Sequence, residues 1–416
     1  MKYTPSVNIE YGIDKDFKYI VTPNAQQVIG NIISSFRAGM HTFSLIGTYG
    51  TGKSSFLMAL ECDLNEGTTE LVSDKSVFGK FDGFECLNIL GDYNSLSNLL
   101  ADKLNCGYSL DTKNIFNALS NRYQNCKKQN KLLLIVIDEF GKVLEHASKN
   151  SPEKELYFLQ RLAEFVNTST RQIILLTTLH QNFGAYATGL SETQRNEWTK
   201  VKGRFKEIVF SEPVEQLLYL ASEQLSGRFR LSDNKKAVQK RILSAAIASN
   251  FVNKSLTEDV IDKLSPLDTL SAMCITKAIQ KYGQNERTLF SFLTAEGSNS
   301  INDFIETDNC TYNLSIAYDY LIYNFFSALS EINSDTAAWT SMRVAIERVG
   351  GGELKDEYIE DAIKIVKAIG MLNLFGTAST SLSKSLLMDY ARFAMNIENP
   401  EAVLKQLEIH KIVRYA

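Results

Sequence analysis

The sequence lacks the features that would take it out of the ordinary globular class. It has no apolar run of about 18 residues and no charged-then-apolar leader, so neither a membrane span nor a secretory signal is expected. The six cysteines, Cys62, Cys86, Cys106, Cys126, Cys274 and Cys310, are scattered without a C-x-x-C pair. That argues against both a zinc site and a disulfide framework. Basic charge is not in excess: 44 Lys and Arg stand against 48 Asp and Glu, a net charge of −4. The chain as a whole is therefore not marked for nucleic acid, whose binding rests on neutralising phosphates. No internal repeat and no low-complexity tract is found. The expectation is a cytoplasmic protein of 416 residues, long enough for about two or three domains.

What is present is organised around Gly47-Thr48-Tyr49-Gly50-Thr51-Gly52-Lys53-Ser54, preceded by the apolar run Phe43-Ser44-Leu45-Ile46. This is G-x-x-x-x-G-K-[ST] between a strand pattern and a helix pattern, Ser55 to Leu64, the context a phosphate-binding loop needs. The glycines let the backbone fold back so that its N–H groups point inward, and the helix N-terminus adds positive partial charge. Gly47, Thr48, Tyr49, Gly50, Thr51, Gly52, Lys53, Ser54 and Ser55 are the expected nucleotide contacts. Lys53 suits the β- and γ-phosphates, and the Ser54 hydroxyl suits Mg²⁺.

Around this loop, strand and helix patterns alternate over the first two hundred or so residues. Thr22-Pro23-Asn24 reads as a helix start, and strands are expected at 41–46, 84–90, 131–137, 172–178 and 207–210. Helices are expected at 95–104, 113–126 and 153–166. Such alternation calls for a parallel sheet with crossover helices and a ligand at the carboxyl ends of the strands. The run Lys131 to Ile137 is continuously apolar, as a strand covered on both faces requires, and ends in Asp138-Glu139. Asp138 there suits Mg²⁺, and Glu139 suits orienting and deprotonating the attacking water.

With both motifs in hand, the chain resembles the AAA+ ATPases and the STAND-type ATPases of the additional-strand P-loop class. Its phosphate loop and I-V-I-D-E-F are most similar to those of origin-recognition ATPases and prokaryotic defence-associated ATPases. The resemblance covers about residues 20–295 and implies ATP as ligand, with Mg²⁺. It implies further roles. Lys202-Gly203-Arg204-Phe205 looks like the segment carrying an arginine finger, supplied in ring-forming relatives by a neighbouring copy; a planar, permanent charge suits a transition-state phosphate. Leu176 to Asn182 looks like the strand end carrying a polar sensor, and Thr178, His180 and Asn182 all compete for that role. Gly283-Gln284-Asn285-Glu286-Arg287 looks like a second sensor, with Arg287 touching nucleotide from a helical lid.

After Pro213 the pattern becomes wholly helical, at 215–225, 234–248, 257–264 and 269–281, with apolar residues three and four apart. The expected division is a lead-in 1–22, an α/β core 23–212, an α-helical lid 213–300 with a linker at 296–300, and a winged-helix-like domain 301–416. In that last part helices at 315–329, 337–348 and 356–369 end at Gly370 and precede a strand at 382–387. From Cys310 onward there are 10 Lys and Arg against 13 Asp and Glu, which favours a protein contact over DNA. Lys127-Lys128 and Lys235-Lys236 with Lys240-Arg241 read as solvated faces. The apolar pattern from Leu404 runs to the end, so the natural chain is expected to continue past Ala416. The functional expectation is an ATP-hydrolysing switch or motor, with a homo-oligomer formed through Arg204, an effector protein as partner and antiviral defence as the setting. The alternatives are a DNA-binding initiator or loader and a nucleotide-binding scaffold with little turnover.

Overall fold

The computed structural model describes residue 9 and residues 19–48, 50–67, 69–72, 74–106, 111–168, 172–225, 232–283, 289–294, 296, 299–304, 311–330 and 335–414. Two compact units divide between Glu212 and Pro213. In the first, strands β1 (Thr42–Ile46), β2 (Gly83–Leu90), β3 (Lys131–Asp138), β4 (Ile173–Leu179) and β5 (Lys206–Val209) form one sheet in the order β2-β3-β4-β1-β5. Every neighbouring pair is parallel. β4 stands between β1 and β3, the additional strand that the resemblance implies.

The helices are α1 (Pro23–Arg37), α2 (Lys53–Asn65), α3 (Leu96–Lys103), α4 (Thr112–Lys128), α5 (Phe140–Lys149), α6 (Pro152–Val166) and α7 (Glu192–Lys202). Side chains alternate across a strand, and β3 shows what its unbroken apolar run is for. Leu133, Ile135 and Ile137 enter a core with residues of α3 to α7, while Leu132, Leu134 and Val136 enter a second core with α1 and α2. The sheet is thus covered on both faces. Thr22 caps α1 through its side-chain oxygen, which accepts from the Ala25 amide at 3.0 Å, with Pro23 in the first turn.

Two helices of this unit were not read from the sequence. α5 follows Asp138-Glu139 directly and buries Phe140, Val143, Leu144 and Ala147, a helical spacing overshadowed by the acidic pair before it. α7 starts at a capping box, in which Ser191 and Gln194 each bond the other's backbone amide.

The second unit is helical: α8 (Val214–Leu225), α9 (Asp233–Ala248), α10 (Glu258–Lys263), α11 (Thr269–Tyr282), α12 (Leu289–Thr294), α13 (Leu314–Ser330), α14 (Thr336–Arg348), α15 (Asp356–Phe375), α16 (Lys384–Phe393) and α17 (Pro400–Ile409). One hydrophobic cluster runs from Leu217 to Leu407. Two expectations here are corrected. α15 does not end at Gly370 but passes through it to Phe375, because that glycine serves packing: a Cβ there would lie 2.1 Å from the Met342 sulfur of α14. Residues 382–387 are not a strand. Ser383 caps α16 by accepting from the Leu386 amide at 3.1 Å, and Leu386, Leu387, Tyr390 and Ala391 are buried at helical spacing. The helix, helix, helix, strand order of a winged helix is therefore not found among the described residues.

At the centre of this unit Asp268, wholly buried, caps α11 by accepting from the Ser271 amide at 2.9 Å. Its other oxygen accepts from the Thr311 hydroxyl at 2.9 Å and the Tyr390 hydroxyl at 2.8 Å, tying α11 to the segment before α13 and to α16. Burial raises its carboxyl pKa to about 6, against the lowering pull of these bonds.

Candidate active site

The phosphate loop leaves β1 at the carboxyl edge of the sheet. The Gly47 amide donates to Leu179 O at 3.0 Å and the Phe210 amide to Ile46 O at 2.7 Å, so the loop base is tied to the ends of β4 and β5. A Cβ on Gly47 would sit 2.1 Å from Phe210 O, so only glycine fits. Gly50 and Gly52 have φ of 70° and 88°, and Gly52 is the N-cap of α2. The Thr51 hydroxyl donates to Thr48 O at 2.9 Å, closing the turn from inside. Ser54 and Ser55 lie in the first turn of α2, both partly buried. Tyr49 lies outside the described residues.

Lys53 opens α2 and is buried. Its ammonium donates to Gly47 O and, at 2.8 Å, to Thr48 O. Burial lowers its pKa to about 8, while Asp138 and Glu139 pull it upward. A cation held so near neutrality by burial gains most from an anionic ligand, because a phosphate replaces the lost hydration.

Asp138 is the last residue of β3 and Glu139 follows it in a left-handed conformation, φ 53°. The Thr178 hydroxyl, from the adjacent strand β4, donates to Asp138 Oδ1 at 2.5 Å. The Glu139 amide donates to the same Oδ1 at 3.0 Å and to Thr178 Oγ1 at 2.9 Å. Both bonds to the Asp138 carboxylate fall on Oδ1, which leaves Oδ2 for a metal or its water. Among the described residues no group of three or more His, Cys, Asp and Glu forms a metal cage. Mg²⁺ does not need one, since it takes one or two protein ligands and fills its octahedron with phosphate and water. The Asp138 carboxylate and the Ser54 hydroxyl suit that donor set.

Of the residues competing as sensor, Thr178 is joined to the acidic pair by the bonds above. His180, just past β4, is kept neutral, its pKa lowered to about 3 by burial first and then by the ammoniums of Lys53 and Lys142. Asn182 is used otherwise: its side-chain oxygen caps a short 3-10 turn, Phe183–Ala187, accepting from the Ala185 amide at 3.0 Å. Arg287 lies outside the described residues. Arg204 lies at the other edge of the sheet. It precedes β5, its carbonyl accepts from the Thr42 hydroxyl at the start of β1, and its guanidinium donates to Glu164 Oε1 at 2.6 Å and Lys200 O at 2.9 Å. The strand length between Thr42 and Ile46, roughly 13 Å at the usual rise, separates it from its own phosphate loop.

The core has the P-loop NTPase fold. The loop, the acidic strand tip and the additional strand are arranged around one edge of a parallel sheet, and the resemblance is to origin-recognition-like AAA+ ATPases. No family model matches the sequence, and no curated protein matches it. Among solved structures the chain is similar to the ORC2 protein of Aeropyrum pernix in ADPNP–ADP complexes, at 13% identity over 95% of this chain and 88% of that one, TM-score 0.39. It is similar to Cdc6p of Pyrobaculum aerophilum, at 13% identity over 96% and 98%, TM-score 0.36, and to C. elegans PCH-2, at 15% identity over 66% and 62%, TM-score 0.34. Likeness at this level carries no argument about activity, and the chemistry rests on the residues above.

Two residues that shape the site were missed in the sequence. Gly91, just past β2, donates its amide to Asp138 O at 2.7 Å, and a Cβ there would lie 2.5 Å from Glu139 O. A glycine after a strand is too common to stand out alone. Lys142, three residues after Glu139, forms an ion pair with Glu139 Oε2. Its spacing, one helical turn from the acid, is the signal that would have found it.

Proposed function

We propose that the chain is an ATP-hydrolysing ATPase of AAA+ type that works as a nucleotide-driven switch or motor. The observation that carries this is the acidic strand tip beside the phosphate loop, where Thr178 and the Glu139 amide fix Asp138 Oδ1. In this reading the loop amides and Lys53 hold the phosphates, and Ser54 and Asp138 hold Mg²⁺, which neutralises phosphate charge when bound. Glu139 accepts the proton of a water whose oxygen bonds to the γ-phosphorus as the bond to the ADP oxygen breaks. Thr178 keeps the Asp138 carboxylate oriented, and the neutral His180 imidazole is a hydrogen-bonding group beside Lys53. Arg204, at the far edge from its own loop, serves the site of a neighbouring copy.

Replacing Glu139 by Gln removes the base and keeps the shape. The expected outcome is turnover lowered by about 100-fold or more, with the affinity for a fluorescent ATP analogue preserved within about threefold. Full turnover in Glu139→Gln contradicts the assigned role. The resemblance of 179–210 and 284–293 to defence-associated ATPases suggests an antiviral setting. Loss of phage protection in cells carrying Lys53→Ala, against cells carrying the wild type, is the test.

A further inference from the structure

Arg204 carries a surface side chain on a fixed base. Its carbonyl accepts from the Thr42 hydroxyl and, at 3.2 Å, from the Asn167 side-chain amide. Asn167 is the C-cap of α6, and it also bonds the start of β1: its Nδ2 donates to Thr42 Oγ1 at 2.9 Å, and its Oδ1 accepts from the His41 amide at 2.9 Å. The next residue, Phe205, is buried, its ring centroid 6.1 Å from that of Phe140 and 5.7 Å from that of Phe183. The backbone at Arg204 is thus tied to α6, to β1 and to the core.

The guanidinium is held from α6 as well. Glu164, one turn before Asn167, accepts at Oε1 from Arg204 at 2.6 Å and from Gln160 Nε2 at 2.9 Å. Gln160 lies a further turn back, so the carboxylate is itself oriented. Ordering a long side chain costs rotamer freedom. The pair is also open to solvent, at 28% for the arginine side chain and 50% for the glutamate, where an ion pair contributes little to folding. The fold therefore gains little from a fixed guanidinium at this place. A group that must meet a phosphate in one orientation gains much, because its ordering is complete before the encounter. Two N–H groups of the fork are occupied, by Glu164 and by Lys200 O, and the guanidinium has others to offer an anion.

We propose that Glu164 is a positioning residue for Arg204, aiming its guanidinium at the phosphates bound by a neighbouring copy of this chain. This rests on the shared-site reading above. Glu164 acts by orientation: it supplies an acceptor oxygen where the fork needs one. Glutamine at this position supplies such an oxygen too, and alanine does not.

The test is complementation between two chains that are each inactive alone. Lys53→Ala keeps Arg204 but has no working loop, and Arg204→Ala keeps the loop but has no arginine to give, so a mixture of the two regains ATP turnover. Glu164→Ala is then added to one chain or to the other, with thermal melts to establish that each double variant folds. On the Lys53→Ala chain, which donates Arg204, the expected result is a regained kcat lowered about fivefold or more, with KM within about twofold. On the Arg204→Ala chain the same change leaves the regained rate within about twofold, and Glu164→Gln on the donating chain recovers most of the loss. Equal losses on the two chains, or no loss on the donating chain, overturn the positioning role and leave the shared site intact. A mixture no faster than its parts, beside an active wild type, overturns the shared site and the positioning with it. A wild type no faster than Lys53→Ala overturns the ATPase reading itself.

Discussion

The peptide joining Asp138 to Glu139 is held from three directions: by the Gly91 amide on Asp138 O, by Thr178 from β4, and by the left-handed turn that starts α5. Each contact is short, so a small addition has a large effect. A methyl at Gly91 would fall 2.5 Å from Glu139 O and 2.9 Å from Asp138 O, and those are backbone atoms that cannot swing aside. Gly91→Ala is expected to destabilise the α/β unit by about 1–3 kcal/mol and to lower turnover at least about tenfold, since a shifted acid pair misplaces both metal and base. A thermal melt with parallel turnover assays checks it; an unchanged rate would mean that the tip does not need its present position. The residues to which the proposal gives a direct chemical task, Lys53, Ser54, Asp138 and Glu139, stand out in the sequence because their spacing is itself the signal. Gly91 and Lys142 do not, because a lone glycine or lysine has no pattern until the chain folds it against its neighbours.

Among elements, the strands were read to within a residue or two because alternation, two-sided burial and flanking helices agree. β3 shows this best, with its odd-numbered apolar residues in one core and its even-numbered ones in the other. The errors came from residues with two uses. Gly370 reads as a stop, yet it lies inside α15, where the Met342 side chain of α14 fills the space a Cβ would need, and Leu382 to Leu387 reads as a strand until Ser383 is seen capping α16. Gly370→Val is therefore expected to destabilise the helical unit by about 1–3 kcal/mol, through overpacking against Met342. The companion change Met342→Ala should recover part of the loss, as measured by denaturant titration of the single and double variants. Additive losses would place the strain elsewhere.

For the molecule as a whole, one property follows from Asp268 in the helical unit and another from Arg204 in the α/β unit. Asp268 joins three segments of the helical unit, and its folded pKa of about 6 stands above the usual carboxylate value. A raised carboxyl pKa means that the folded state binds the proton more tightly than the unfolded chain. Its stabilising contribution, on the order of 3 kcal/mol, is complete below about pH 4 and is lost as the pH rises through about 6. Asp268→Asn should flatten the stability profile of the helical unit over that interval, as read by urea titrations between about pH 4 and 7; an unchanged slope would remove Asp268 as its source. The second property is the placement of Arg204 at the edge of the sheet opposite its own loop, salt-bridged to Glu164. In the proposed reading an arginine so placed acts only between copies, and activity is then a matter of concentration. The shared site is tested by ATP turnover over a range of protein concentrations for wild type, Lys53→Ala and Arg204→Ala. A shared hydrolytic site predicts specific activity that rises with concentration, is abolished in Lys53→Ala and falls at least about 100-fold in Arg204→Ala while nucleotide binding survives. Turnover that persists in Lys53→Ala would contradict the phosphate-loop site itself.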